Sequence, residues 1–125
     1  MKRVFHLSNC GTCQKIIQDY NLKERGFAFQ DIKSEPITPA QLDLMMKLTG
    51  SIESLFSRRA LKYKSLGLKD RQLNEKDYRN FILQEYTFLK RPVIIDGERI
   101  FVGSESKNLQ ELGAYLESRA QKNAP

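Results

Sequence analysis

The chain has 125 residues, 40% of them hydrophobic and 29% charged, and a formal net charge of +6 at pH 7. This composition is typical of a globular protein large enough to bury a core, and no stretch is long and apolar enough to span a membrane. The first strand begins almost at Met1 and leaves no room for a signal peptide, so we expect a cytoplasmic protein whose thiols stay reduced.

The first three predicted elements are a strand over Arg3–Leu7, a helix over roughly Thr12–Lys23 and a half-buried strand over Phe27–Ile32. The helix is indicated by apolar residues at i, i+3, i+4 and i+7, namely Cys13, Ile16, Ile17 and Tyr20. Gly26 is interpreted as the helix stop, and alternation of apolar and polar residues indicates the second strand. The chain therefore opens in the order β-α-β.

The only two cysteines, Cys10 and Cys13, form a C-x-x-C pair between the first strand and the first helix. This arrangement is typical of a thiol–disulfide site. Unpaired N–H groups and the helix dipole stabilise a thiolate at a helix N-terminus, so we expect Cys10 to ionise readily and act as a nucleophile. The alternatives are two buried structural cysteines or a zinc half-site. Zinc needs four ligands, and His6 is the only histidine, so we expect no metal.

The middle of the chain, at about residues 36–88, is predicted to be helical. Thr38 as N-cap, Pro39 at the first helical position and Gln41 at the third predict a helix that Gly50 ends. Ser51–Phe56 is predicted to be a short helix, and a basic loop follows it. A second cap signal, Asn74-Glu75-Lys76-Asp77, predicts another helix. Its apolar face is predicted to be Tyr78, Phe81, Ile82 and Tyr86.

The last part of the chain is predicted to contain a hairpin and a helix. A strand over Pro92–Ile95, a turn at Asp96-Gly97-Glu98 and a returning strand over Arg99–Val102 form the hairpin. The segment Ser104-Glu105-Ser106 is predicted to start the final helix, and its buried face is predicted to be Leu109, Leu112 and Leu116. The tail from about Ala120 is expected to fray. The order is thus β-α-β, a helical block, then β-β-α, without a linker between two cores.

The positive charge is spread along the chain, with one denser stretch between Arg58 and Arg71. A sequence pI of about 9.4 favours an acidic partner or an anionic substrate. Proteins that bind single-stranded nucleic acids interleave aromatic platforms with basic residues, and no such pattern is present. We therefore expect no direct nucleic-acid binding and interpret most basic side chains as a solvated face.

The β-α-β/β-β-α order with C-x-x-C after strand one resembles a thioredoxin-like fold of the α/β class. Three segments narrow the resemblance: Asn9–Lys15, Leu55–Arg59 with the following Tyr63 and Leu66-Gly67-Leu68, and Leu89–Ile94. Together they resemble the glutaredoxin-linked arsenate reductase (ArsC-like) family, including its Spx-like regulatory relatives, over nearly the whole chain. The resemblance implies one domain, residues 1–125, with an all-helical insertion at about residues 36–88.

In the family that the chain resembles, the first cysteine, here Cys10, attacks arsenate, and arginines hold the oxyanion. Arg91 matches the arginine before the proline, and Arg59 matches the insertion arginine of the Spx-like branch. The arsenate-reducing branch carries Ser where this chain has Cys13. It also supplies a third arginine where this chain reads Val102-Gly103-Ser104. These differences place the resemblance nearer the two-cysteine, Spx-like branch.

The predicted oxyanion-binding residues also have a physical rationale, because a guanidinium presents a planar fork that suits an oxyanion. The thioredoxin-like folds that the chain resembles place a cis proline beside the cysteines, which implies that Pro92 is cis. Arg91 is then expected near the helix N-terminus, and a structural ion pair is its alternative. Arg59 is otherwise a surface arginine, with Arg58 an equal candidate. Lys15 adds positive charge one turn after Cys10 or is merely exposed.

The function predicted from these residues is a thiol redox protein. Cys10 attacks an oxyanion or a disulfide, and Cys13 resolves the adduct. An external thiol reductant such as glutathione, glutaredoxin or thioredoxin then restores both thiols, without metal or organic cofactor. We expect a monomer. The alternative is an Spx-like redox-sensing transcriptional regulator that binds the RNA polymerase alpha subunit, so the sequence leaves open whether the chain is an enzyme.

Overall fold

The computed structural model describes residues 1–122 and has the predicted order of elements. Its strands and helices are β1 (Lys2–His6), α1 (Gly11–Asp19), β2 (Ala28–Asp31), α2 (Pro39–Thr49), α3 (Leu61–Ser65), α4 (Glu75–Gln84), β3 (Val93–Asp96), β4 (Arg99–Val102) and α5 (Ser106–Lys122). The chain divides into two compact units, residues 1–30 with the chain from Arg91 onward, and residues 31–90. That the two units make up a single domain stays a prediction.

The sheet has the strand order β2-β1-β3-β4. β1 and β3 are antiparallel with Val4 opposite Ile94, and β3 and β4 are antiparallel with Ile94 opposite Phe101. These three side chains share one face of the sheet, which α1 and α5 cover. The resulting core contains Val4, Ile16, Leu22, Phe27, Ile94, Phe101, Leu112 and Leu116. The predicted face of the last helix is therefore confirmed, with Leu109 packed at the edge of the core.

The first helix is shorter than predicted, because it ends at Asp19 rather than Lys23. Asn21 has a left-handed φ of 54°, which a short polar side chain tolerates better than most. The N–H of Asn21 donates to the carbonyl of Gln18 at 3.1 Å, and that of Leu22 to Ile17 at 3.0 Å. This pair of bonds is the Schellman ending of a helix. Gly26, at φ 87°, instead shapes the turn that leads into β2.

The hairpin forms as predicted, and its register is set by Asp96 opposite Arg99. The two-residue loop is therefore Gly97-Glu98, and Gly97 supplies the positive φ of 62° that the first loop position requires. β3 starts at Val93 rather than Pro92, since proline has no N–H to donate to the ladder. The last helix begins at Ser106, within the predicted start segment Ser104-Glu105-Ser106. It continues past Ala120 to Lys122. The remainder of the tail for which fraying was expected lies outside the described residues.

The second unit, residues 31–90, is built from the helices that the cap signals predict. In α2 the N–H of Gln41 donates to the Thr38 hydroxyl at 3.0 Å, and the Thr38 N–H donates back to the Gln41 side chain at 3.1 Å. Asn74 and Asp77 form the same reciprocal pair at the start of α4. Gly50 ends α2 in the left-handed conformation, as predicted. Both cap predictions are therefore confirmed.

Three predictions within this unit are wrong in detail. The helix expected over Ser51–Phe56 is a single 3₁₀ turn, Glu53–Leu55. The segment predicted to be a basic loop contains the helix α3. The sequence gives no signal for this helix, because Leu61 at its start is 88% exposed and no polar residue caps it. Tyr86 lies beyond α4, since Glu85 is extended and breaks the helix one residue earlier.

Among the described residues, no helix combines the length and the apolar character that crossing a bilayer requires.

Candidate active site

Cys10 is the N-cap of α1. Its backbone is extended, with φ −97° and ψ 111°, and helical geometry starts at Gly11. The Cys10 N–H donates to the carbonyl of Leu7 at 3.1 Å, and the Cys10 carbonyl accepts the N–H of Gln14 at 3.1 Å. The first of these bonds takes Leu7 out of the strand ladder, which explains why β1 ends at His6. The Cys10 sulfur is thus held where the first N–H groups of the helix point.

The surroundings of Cys10 lower the pKa of its thiol. Partial burial acts against ionisation, but hydrogen bonds from the N–H of Cys13, the thiol of Cys13 and the N–H of Thr12 outweigh it. The positive charge of Arg91 acts in the same direction. Because a thiolate is the reactive form of cysteine, Cys10 is the more nucleophilic of the two sulfurs, and it is partly exposed to solvent.

The surroundings of Cys13 have the opposite effect. Its side chain is 0% exposed, and burial raises the pKa of its thiol to about 11. A backbone hydrogen bond at Leu7 and the charge of Arg91 lower this pKa, while the hydrogen bond to Cys10 and the charge on Cys10 raise it. The two cysteines are free thiols.

The positive charge of Arg91 acts on both cysteines, because it lowers the pKa of each thiol. The Arg91–Pro92 peptide bond is cis, as the resemblance to thioredoxin-like folds implies. The partly buried Arg91 side chain and the buried Pro92 lie directly before β3. Arg91 is thus the predicted oxyanion-binding residue that the structure brings to the cysteine pair.

The other predicted cations have different surroundings. Lys15 forms an exposed ion pair with Asp19 at 3.8 Å, one turn further along α1. Arg59 is exposed and belongs to the unit of residues 31–90. Its neighbour Arg58 binds Glu53 at 2.6 Å and the Tyr78 hydroxyl at 3.3 Å, which identifies Arg58 as a structural residue of that unit. The oxyanion-binding roles of Lys15 and Arg59 stay predictions.

Gln14 is a residue of the site that sequence reasoning missed. Its side-chain nitrogen donates to the Leu7 carbonyl at 3.1 Å and lies 3.4 Å from Nδ1 of His6. The same Leu7 carbonyl accepts the N–H of Cys10, so the Gln14 side chain stabilises the loop that carries the nucleophile. The available signal was its spacing, because a side chain four residues after Cys10 lies back over the first helical turn.

His6 is buried at the end of β1, as a satisfied side chain. Its ring meets the Phe29 ring edge-on, with 5.8 Å between centroids, and Gln14 lies at its Nδ1. Within residues 1–122, no group of three or more His, Cys, Asp or Glu side chains is placed to hold a metal ion.

Gly11 leaves the surface beside Cys10 bare. A Cβ atom built on Gly11 would meet no other atom within 4 Å, and the residue is exposed. Its φ is not positive, so the backbone itself does not require glycine at this place.

Comparison with known proteins finds one matching family and several similar proteins. The sequence profile of the ArsC family matches residues 5–112. The uncharacterized protein YusI of Bacillus subtilis (strain 168) is 26% identical over 107 residues, which cover 82% of this chain and 89% of YusI. The global transcriptional regulator Spx of Streptococcus pneumoniae (strain ATCC BAA-255 / R6) is 25% identical over 117 residues, covering 93% of this chain and 86% of Spx.

Among solved structures, an ArsC family related protein from Bacteroides fragilis superimposes with a TM-score of 0.75 at 19% identity. The superposition covers 89% of this chain and 96% of that protein. This likeness confirms the predicted α/β, thioredoxin-like fold.

Proposed function

The chain belongs to the ArsC family, and we propose that it works as a thiol redox protein with Cys10 as nucleophile and Cys13 as resolving thiol. The observation that carries this proposal is the opposite direction of the two pKa shifts in one hydrogen-bonded pair. Ionisation is favoured at the partly exposed sulfur and opposed at the buried one. The division of roles follows, because the exposed thiolate meets the substrate first.

With a disulfide substrate, the Cys10 thiolate attacks one sulfur and forms a mixed disulfide, and the other substrate sulfur leaves as a thiolate. Cys13 then gives up its proton and attacks the Cys10 sulfur. The Cys10–Cys13 disulfide forms, and the second half of the substrate leaves as a thiol. Two electrons pass from the cysteine pair to the substrate, and an external thiol such as glutathione, glutaredoxin or thioredoxin returns them.

The timing of the second step follows from the charge on Cys10. That negative charge, together with the hydrogen bond between the thiols, is part of what raises the pKa of Cys13. Once the Cys10 sulfur is bonded to substrate, it is neutral, so this contribution disappears and the Cys13 proton is released more easily. The resolving thiol therefore becomes more reactive once the first bond has formed.

An oxyanion such as arsenate follows the same order. The Cys10 thiolate displaces one hydroxyl group of arsenate, which leaves as water after protonation. Attack of Cys13 on the Cys10 sulfur then leaves the bonding electron pair on arsenic and reduces As(V) to As(III). Arg91 is the cation assigned to the oxyanion, because it already acts on both sulfurs. Arg59 and Lys15 are proposed as further oxyanion contacts, and no metal or organic cofactor takes part.

The proposal is tested by mass spectrometry after mild oxidation. Wild-type protein should lose the mass of two hydrogens, and Cys10→Ser and Cys13→Ser should not. An assay of arsenate-dependent NADPH consumption with glutaredoxin, run beside it, tests arsenate as the substrate. If Cys10 in the unoxidised protein is alkylated no faster than Cys13, the assignment of the nucleophile is wrong.

The role of Arg91 has its own matched test. Arg91→Gln removes a charge that lowers the pKa of Cys10, so the pH at which Cys10 becomes reactive should rise. Arg71→Gln removes an equal charge from an exposed site in the other unit and serves as the control. An equal effect of both substitutions would show only a general influence of net charge.

A second candidate function is a redox-sensing transcriptional regulator. It is supported by the match to Spx over 93% of this chain and by the bare surface at Gly11, which lets a protein partner approach the cysteine pair. The test is a binding assay with the C-terminal domain of the RNA polymerase alpha subunit, with reduced and oxidised protein. Binding in one redox state only, and its loss in Gly11→Arg, supports the regulator. Equal or absent binding in both states excludes it.

A further inference from the structure

A cavity of about 220 Å³ lies at the end of the sheet away from Cys10. It is bordered by Lys2 at the start of β1 and Asp96 at the end of β3, which face each other in the strand register. β1 runs away from the cavity toward Cys10, and its five residues at roughly 3.3 Å each separate the two places by about 16 Å. The cavity is therefore distinct from the cysteine site.

The lining of the cavity carries a net positive charge. Three cations, Lys2, Arg25 and Arg119, face one carboxylate, Asp96, so the lining carries +3 − 1 = +2. Within residues 1–122, none of the three cations forms an ion pair. Lys2 donates to the carbonyl of Arg25 at 2.6 Å, and Arg25 donates to the carbonyl of Tyr20 at 3.0 Å. These bonds hold both cations in place without cancelling their charge.

The same cavity has an apolar wall. Phe27 and Leu116 line it and are 6% and 4% exposed. The Lys2 ammonium lies 4.9 Å from the centre of the Phe27 ring, so the cation and the ring form adjoining parts of one surface. Asp96 is oriented by the Tyr115 hydroxyl, which donates to its Oδ2 at 3.1 Å. A ligand that fills this space needs an anionic end and a small apolar end.

We propose that this cavity binds a small phosphate monoester that carries an apolar or aromatic group. A phosphate monoester has a charge of about −1.5 to −2 at pH 7, which matches the +2 of the lining. Guanidinium groups bind phosphate oxygens through paired hydrogen bonds. The volume of about 220 Å³ leaves room for a ring beside the phosphate. This site goes beyond the thiol chemistry proposed above and does not depend on it.

The probes that test the site are phenyl phosphate, phenol and inorganic phosphate, titrated into reduced protein while backbone amide NMR shifts are recorded. Phenyl phosphate should shift the amides of Lys2, Phe27, Asp96 and Leu116. Phenol and inorganic phosphate should bind at least about tenfold more weakly, because each lacks one half of the complementarity. Arg119→Gln should weaken phenyl phosphate binding about tenfold, since an exposed arginine is lost without disturbing the core.

The control variant is Lys107→Gln, which removes one positive charge at the opposite end of α5. It should leave phenyl phosphate binding unchanged. Shifts confined to Gly11–Gln14 would place the anion at the start of α1, which overturns this site while supporting an oxyanion at Cys10. Equal binding of phenol, equal binding of inorganic phosphate, or no effect of Arg119→Gln would each overturn the proposal. In the last case Arg119 serves only to complement the C-terminal end of α5.

Discussion

The buried thiol of Cys13 donates a hydrogen bond to the sulfur of Cys10. The bond stabilises negative charge on Cys10 and makes the Cys13 proton harder to remove. The acidity of each cysteine therefore depends on the other, and substitution of either changes the chemistry of both.

The first prediction concerns the donor in this hydrogen bond. Cys13→Ala removes it, so the pKa of Cys10 should rise and its alkylation at pH 7 should slow by up to about tenfold, the size of one charge-assisted hydrogen bond. Cys13→Ser keeps a donor and should stay nearer the wild type. Alkylation rates measured against pH check both variants. Equal rates in Cys13→Ala and Cys13→Ser would show that the helix N–H groups and Arg91 alone activate Cys10.

The second prediction concerns stability at alkaline pH. The pKa of Cys13 rises on folding from its ordinary 9.0 to about 11. An acid whose pKa is raised by folding contributes stability that is complete below its unfolded pKa and is lost as the pH rises through the folded pKa. Between pH 9 and pH 11, wild-type protein should therefore lose about 2 kcal/mol more than Cys13→Ala. Urea unfolding under reducing conditions measures the difference, and parallel pH curves for the two proteins would contradict it.

The third prediction concerns the brace at Leu7. Gln14→Leu removes the side-chain bond to the Leu7 carbonyl, which should destabilise the protein by about 1 kcal/mol and move the onset of Cys10 alkylation to higher pH. Gln18→Leu makes the same change at an exposed site one turn further along α1 and should leave the pH profile unchanged. A loss of stability without a change in this profile would mean that Gln14 supports the fold but does not position Cys10.

The fourth prediction concerns the end of α1. Asn21→Ala places a Cβ-bearing residue without a short polar side chain at φ 54°, which should cost about 1 kcal/mol. Asn21→Gly adopts this conformation without strain and should be as stable as the wild type or more so. Denaturation midpoints of the two variants check the prediction. Equal midpoints would mean that α1 ends for another reason.

The sequence predicted the parts of this protein whose signals are local. A capping residue and its partner lie three positions apart, so Thr38 with Gln41 and Asn74 with Asp77 marked the starts of α2 and α4. The hairpin turn and the first cysteine at a helix start are equally short-range patterns. The resemblance to a known family added the cis bond before Pro92, which no local pattern indicates.

Other features depended on contacts that spacing alone does not reveal. Asn21 ended α1 through its left-handed backbone, although Gly26 was the more obvious stop. The bond from Gln14 to Leu7 depends on how the loop before α1 folds back, and the divided acidity of the two thiols depends on how deeply Cys13 is buried. Polar Gln30 is only 2% exposed in a strand whose alternation predicts an outward side chain. These properties arise from tertiary packing rather than from the order of residue types.

At Gly11 the requirements of folding and of function can be tested separately. The fold does not require glycine at this position, since a Cβ atom there would contact no neighbouring residue within 4 Å. If a larger side chain at position 11 impairs function, the cause is therefore a clash with the molecule that binds over the Cys10 sulfur. That molecule is either a small electrophile or the surface of another protein.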